Sequence, residues 1–239
     1  MTSEPKATPQ RPAPSVADRE PLFSGGFATF CVLAAFFMAS QFLRVSNAVV
    51  AKELIRDLNL SAAEFGMLGS GFFYAFAVMQ IPLGWALDRF ETRKILLILP
   101  FSSVVGLAVF SLADGFALAF LGRLLCGIGM SVVMMGTFKI FSLRYAPYHF
   151  ATLSGIMVSV GTVGNMLAAT PLVLLTDLVG WRRGFLIIGA GIAILSIGSY
   201  RLLRQSNQDA PFSSETDAPQ PLSFRKGFHT LVHTPTFWQ

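Results

Sequence analysis

Six stretches of this chain are too long and too apolar for a water-soluble fold. They run over roughly 27–50, 65–87, 95–113, 116–141, 152–176 and 184–203, and a helix needs about twenty apolar residues to cross a hydrocarbon core. Leu, Phe, Val, Ala and Gly fill them, without the period-2 alternation of a membrane barrel strand. Helices that are apolar all round must be surrounded by lipid or by other helices. Composition agrees, with 53% hydrophobic and 13% charged residues, about half the charged share of a soluble domain. Mean hydropathy is +0.60. The expected fold class is an all-α membrane protein of six transmembrane helices, with the lipid bilayer as its first partner.

The flanks read differently. Residues 1–26 are polar and Pro-rich, without an apolar core or a cleavage pattern, which predicts a disordered cytosolic leader rather than a signal peptide. The six-span domain then covers 27–204, and 205–239 reads as a cytosolic linker. Its last part, LSFRKGFHTLVHTPTFWQ, is basic and mildly amphipathic, suited to a membrane surface. Lys and Arg predict the orientation. With the N-terminus cytosolic, the inside segments hold Lys6, Arg11, Arg19, Arg89, Arg93, Lys94, Arg144, Arg201, Arg204, Arg225 and Lys226. The outside segments hold Lys52, Arg56, Arg182 and Arg183. That bias predicts both ends of the chain in the cytosol, and the expected location is a bacterial inner membrane, as a multi-pass protein.

The same topology accounts for the net charge of +5, and no basic patch interleaved with aromatics calls for nucleic acid. Cys31 and Cys126 fall inside spans and read as small packing residues, not as a disulfide framework. His149, His229 and His233 all lie outside the spans. His229 and His233 share a helical spacing but have no third ligand nearby, so no metal is expected. No Ser-His-Asp grouping, phosphate-cradling loop or buried carboxylate pair can be assembled, so neither an enzyme nor a cofactor is expected.

One short stretch stands out against this background. GWALDRFETRK, residues 84–94, carries Asp88, Arg89, Glu91, Arg93 and Lys94 between two uncharged runs. Span one begins near Phe27 and span four near Phe116, an offset of 89. The same offset carries Asp88 to Asp177, Arg93 to Arg182 and Lys94 to Arg183. Three helices followed by three related helices of opposite direction is the inverted-repeat plan of secondary transporters.

Ionisable residues within spans point to a solute path, because a charge in hydrocarbon is costly. Arg44, Arg123 and Lys139 qualify, and no Asp or Glu lies deep in any span. Ser40, Gln41, Arg44 and Asn47 line one face of span one. That stripe predicts a wet cavity, unless span one ends early and Arg44 snorkels to the interface. Lys139, near the end of span four, fits snorkelling better. Asn165 has the chemistry for a cavity wall, while Gly155, Gly161, Gly164 and Ala168 around it suit close helix packing. Tyr74 reads equally as a cavity donor or a packing aromatic.

These motifs resemble the major facilitator superfamily. Its loop motif is matched at Gly84, Asp88, Arg89, Arg93 and Lys94, with Glu91 where the family usually has Gly and Thr92 at an often basic position. RLLCGIG, residues 123–129, is similar to the family's fourth-span motif, WRRGF (181–185) to the lead into its sixth span, and HTPTFW to the approach to a seventh. The resemblance implies a twelve-helix fold of two halves, of which this chain is the N-terminal one as a fragment, with a six-helix homodimer as the alternative. It implies that Asp88 with Arg89, Arg93 and Lys94, and Arg144 nearby, latches the cytosolic face shut against the missing C-terminal half. Arg44 resembles the first-span Arg that organic-anion and organic-phosphate carriers use for substrate. Arg123 in the family bonds neighbouring spans or aids proton coupling, and here such a structural role stands beside direct solute contact. The expected function is secondary transport of a small anionic solute by alternating access. Zwitterionic solutes such as small peptides, or a non-transporting receptor or assembly subunit, are the alternatives.

Overall fold

The computed structural model describes residues 27–145 and 147–209; side chains are described except at 144, 147–148 and 203–209. The leader over 1–26, the region 210–239 and His229 and His233 lie outside the described residues. The elements are α1 (Phe27–Val49), α2 (Ala51–Asp57), α3 (Ala62–Arg89), α4 (Thr92–Ser111), α5 (Phe116–Arg144), α6 (Pro147–Leu167), α7 (Thr170–Val179) and α8 (Trp181–Asp209). Six helical stretches are long and apolar enough to cross a membrane, with α6 and α7 together forming the fifth. The expected all-α six-span fold is therefore the observed one.

Three details differ from the sequence reading. A short helix, α2, occupies the connection between the first two spans. The fifth span is broken at Ala168 and Ala169, where Pro171 sits in the first turn of α7 and cannot donate to the carbonyl four residues back. Finally, α8 continues to Asp209, past the expected boundary at 204. Elsewhere the local chemistry is regular. Ser61 and Glu64 close a reciprocal capping box at the start of α3. Gly180, at φ +82°, makes the turn between α7 and α8 in a conformation that favours glycine.

The helices pack as two inverted copies. α3 lies against α5 as α6 lies against α1, α4 lies against α5 as α8 lies against α1, and α4 meets α8. The offset of 89 between the starts of α1 and α5 holds down to single contacts. A Cβ on Gly127 of α5 would strike the Phe72 carbonyl of α3 and stand 3.0 Å from the Ala75 Cβ. Shifting Gly127 and Ala75 by that offset gives Met38 and Gly164. There a Cβ on Gly164 of α6 would strike the Met38 carbonyl of α1. In both copies a glycine admits a neighbouring backbone, the usual means of helix association where hydrophobicity supplies no drive.

Adjacent helices alternate in direction, so the 84–94 island closes one end of the bundle and Trp181 the other. At the Trp181 end, the Trp181 indole donates to Asp57 Oδ2 at 2.9 Å, tying α2 to α8. Arg182 donates to the Ser111 and Ala113 carbonyls at 2.8 and 2.6 Å, capping α4. The Trp181 hydrogen bond, and then Arg56, hold the Asp57 carboxyl below its ordinary range. A carboxylate with a depressed native pKa stabilises the fold above its unfolded pKa, and that contribution disappears as pH falls through the native value. The tie is therefore expected to be intact at neutral pH and to open only below the ordinary carboxylate range. Indole fluorescence of wild type against Trp181→Phe reads it, and an acid transition that survives Trp181→Phe unchanged would assign it to another group.

Candidate functional site

The polar face of α1 meets the first half of α3, whose FGMLGSGFF run brings glycines to the contact. Between them lies an open pocket of about 400 Å³. Arg44 and Asn47 of α1 and Ser70 of α3 give it polar walls, Phe65 and Phe73 give it apolar ones, and Gly66 and Gly69 leave it wide. A Cβ on Gly69 would sit 3.8 Å from Asn47 Nδ2, and one on Gly66 would meet nothing within 4 Å.

Arg44 does not reach for the nearer helix end. Its guanidinium lies over the Phe76 ring, 4.4 Å from the centroid, and Phe76 stands midway along α3. That direction is towards the middle of the bundle, where the pocket lies, and not towards its nearer end. Arg44 Nε and Asn47 Oδ1 are both buried without a hydrogen-bond partner. An unpaired buried donor costs about 1–3 kcal/mol, and here one belongs to a cation in a span.

Arg123 lies directly behind. It is 1% exposed, and its Nη1 donates to the Leu43 carbonyl at 3.1 Å, on the residue before Arg44. Its guanidinium lies 5.2 Å from the Phe72 ring centroid. Phe72 and Phe76 stack at 6.3 Å with their planes 16° apart. The two cations thus sit on two rings of one stack, and Arg123 fixes the turn of α1 from which Arg44 extends. Burial keeps Arg123 out of the pocket, so its position suits the helix-bonding role among those the sequence left open.

The other expected site residues separate. Asn47 is 3% exposed by whole residue yet borders the pocket. Gln41 turns to α6, where a Cβ on Gly161 would stand 3.0 Å from its Cγ. Asn165, half-buried, follows Gly161 by one turn on that helix. Tyr74 is 67% exposed on a face of α3 that it shares with the exposed Val78 and Ile81, and it does not line the pocket. Gly161 and Gly164 pack closely as expected, whereas Gly155 faces open space. Sequence reasoning missed Ser70, Phe72 and Phe76. Ser70 was signalled by the glycines at 66, 69 and 71, but an aromatic in an apolar run carries no mark of its role.

At the island, the basic residues are already engaged. Arg89 stacks on Trp85 at 4.8 Å, while Arg93 and Lys94 approach Glu91 Oε2 at 2.7 and 3.5 Å. Glu91 takes the N-cap position of α4 at φ −57°, so this turn does not need glycine. The Arg93 hydrogen bond holds the Glu91 carboxyl below its ordinary range. Lys139 belongs to this cluster rather than only to the interface: it donates to the Leu87 carbonyl, and its Nζ stands 3.9 Å from Asp88 Oδ1. The Asp88 side chain remains 71% exposed, and a Cβ on Gly84 would meet nothing within 4 Å. The surface around these two residues is open. Arg144's side chain lies outside the described residues.

Comparison with known proteins matches this architecture. The "Probable galactarate/D-glucarate transporter GudP" of Escherichia coli is 24% identical over 194 residues, covering 76% of this chain and 42% of that protein. The "Probable L-galactonate transporter" of the same organism is 30% identical over 178 residues, 74% of this chain and 39% of that one. The "Probable sulfoacetate transporter SauU" of Cupriavidus necator is 24% identical over 159 residues, 66% and 37% of the two chains. The chain thus aligns with less than half the length of each of these relatives. Among solved structures, a bacterial homolog of the human lysosomal transporter Spinster, inward-facing and unoccupied, matches with a TM-score of 0.67 at 23% identity, over 91% of this chain and 51% of that one. The sequence profile of the Major Facilitator Superfamily matches residues 19–238. This chain, an integral membrane protein with six membrane-length helical stretches among its described residues, belongs to the Major Facilitator Superfamily.

Proposed function

We propose that this chain forms one six-helix half of a secondary carrier that moves a small organic anion by alternating access. The observation that carries this reading is Arg44. It is a cation at mid-depth of the bundle, bordering an open pocket, with a buried Nε that no protein acceptor satisfies. A carboxylate, sulfonate or phosphate oxygen there would supply both the countercharge and the missing acceptor. The relatives above are named as probable transporters of sulfoacetate, of galactarate and D-glucarate, and of L-galactonate, all of them carboxylates or sulfonates. The excess of Lys and Arg at the island end supports a cytosolic position for that end. There Asp88, paired at 3.9 Å with Lys139 yet 71% exposed beside an open Gly84, is the group placed to engage a second half and hold the cytosolic face closed.

The test is uptake of labelled galactarate and sulfoacetate into proteoliposomes. Residues 1–239 alone are expected to insert and transport nothing, and to transport when joined to a second six-helix half. Robust uptake by residues 1–239 alone, or transport of a cation by the joined carrier, would overturn the reading. Asp88→Asn is expected to slow uptake roughly tenfold, about the worth of one charge-assisted hydrogen bond, with membrane abundance unchanged. Wild-type uptake in that variant would remove Asp88 from the gate.

A further inference from the structure

A second concavity lies on the far side of α1. It is an open groove of about 310 Å³ whose lining side chains are all apolar, including Met38 and Phe42 of α1, Leu167 of α6, and Ile188, Ile192 and Leu195 of α8. Its origin is a break in the inverted symmetry. Between α4 and α5 the backbones meet closely: a Cβ on Gly106 would stand 2.7 Å from the Gly122 carbonyl, and one on Gly122 2.8 Å from the Gly106 carbonyl. Ser103 adds a hydrogen bond to the Cys126 carbonyl at 3.0 Å. Shifting by the same 89-residue offset, the α1–α8 seam carries Leu195 for Gly106, Leu33 for Gly122 and Ile192 for Ser103. Branched side chains replace the glycines, so α8 stands off from α1. The α6–α7 break at Leu167 leaves the third side open.

We propose that this groove is a lipid-chain site, taking a single acyl chain of a bilayer phospholipid. Three observations select that occupant. At 3.6 residues per turn, the groove residues of α1 lie on the face opposite Arg44 and Asn47. If the Arg44 face turns to the second half, as the proposed function requires, the groove turns to lipid. None of its lining side chains is polar, so none can satisfy a peptide carbonyl, water or a headgroup. Its volume also suits one chain. A cavity of about 150 Å³ takes a benzene, so this groove holds roughly a dozen carbons, a chain segment. The residue at its rim is Gly191, where a Cβ would meet nothing within 4 Å. The chain would thus lie in the space that α8 leaves beside α1, supporting the broken fifth span.

The experiment uses the intact carrier in vesicles of phosphatidylcholine bearing a photoactivatable diazirine midway along one acyl chain, with labelled residues mapped by mass spectrometry. Labelling at Met38, Phe42, Ile188, Ile192 and Leu195 should exceed that at Ile194, outside the groove on the same helix as the last three and 71% exposed, by roughly tenfold, since a groove removes more methylenes from competition than a convex surface does. Gly191→Leu should abolish that excess by filling the groove. Ala39→Leu, from the facing helix, is the second variant with the same expectation should the first fail to reach the membrane. Groove labelling no stronger than at Ile194, or unchanged in a folded variant, overturns the proposal. Labelling at Phe65, Ser70 and Phe73 as strong as in the groove would have a different meaning. It would show lipid on the Arg44 face and overturn the carrier reading, while groove labelling and its loss in the variants would still decide the lipid site.

Discussion

Replacing Arg44 with alanine is expected to cut anion uptake roughly 10- to 100-fold, the worth of a charge-assisted hydrogen-bonded pair, and replacing it with lysine to cut uptake nearly as far. The reason is geometric. The guanidinium lies 4.4 Å from the Phe76 ring centroid, and its plane can stack on that ring while its edge offers parallel donors to a carboxylate or sulfonate. A lysine ammonium keeps the charge but presents a point donor, with neither the stack nor the fork. Arg123 does not replace it, because burial and its bond to the Leu43 carbonyl hold it away from the pocket. The measurement is initial uptake into proteoliposomes for wild type, Arg44→Ala and Arg44→Lys at matched protein levels. Full activity in Arg44→Ala would remove Arg44 from the solute path. Full activity in Arg44→Lys would leave only its charge in the role.

Residues that announce themselves by contrast with their surroundings were the legible part of this site. Arg44 and Asn47 are polar in an apolar helix, and they do meet at one pocket. The spans were legible for the same reason, as apolar length is a direct physical requirement. Phe72 and Phe76 were not, because one Phe among many in apolar runs looks the same whether it fills a core or carries a cation. Gln41 and Tyr74 are a different case. Helical periodicity places a residue on a face but does not say which neighbour that face meets: Gln41 meets α6, and Tyr74 lies on an exposed face of α3. The fifth-span break was signalled by Thr170 and Pro171. In a membrane helix, however, Pro is tolerated without a break, as Pro82 and Pro100 are within α3 and α4. Lys139 read as an interface anchor because its partners, the Leu87 carbonyl and Asp88, are distant in sequence.

The inverted repeat predicts paired outcomes at two glycines on different helices. Gly127→Leu and Gly164→Leu are each expected to destabilise the bundle by at least about 3 kcal/mol, the upper part of the range for overpacking a well-filled interior. At both positions a Cβ runs into a neighbouring backbone carbonyl, of Phe72 in one case and Met38 in the other, and a main chain cannot rotate aside as a side chain can. Relief would require α3 to leave α5, or α6 to leave α1. The first separation would also disturb Phe72 and with it the Arg123 contact. Leucine favours a helix more than glycine does, so propensity alone predicts stabilisation at both positions, opposite in sign to the packing effect. Gly155→Leu supplies the control, since a Cβ there meets nothing within 4 Å. Thermal unfolding in detergent, followed by size-exclusion profile, separates the two effects. The expected result is a lowered midpoint or loss of the monodisperse peak for Gly127→Leu and Gly164→Leu, and a wild-type profile for Gly155→Leu. Wild-type melting in either of the first two would mean that its helix pair is not closed on a backbone contact. A loss at one glycine alone would mean that the two halves, though related in sequence offset and contact, do not share the load equally.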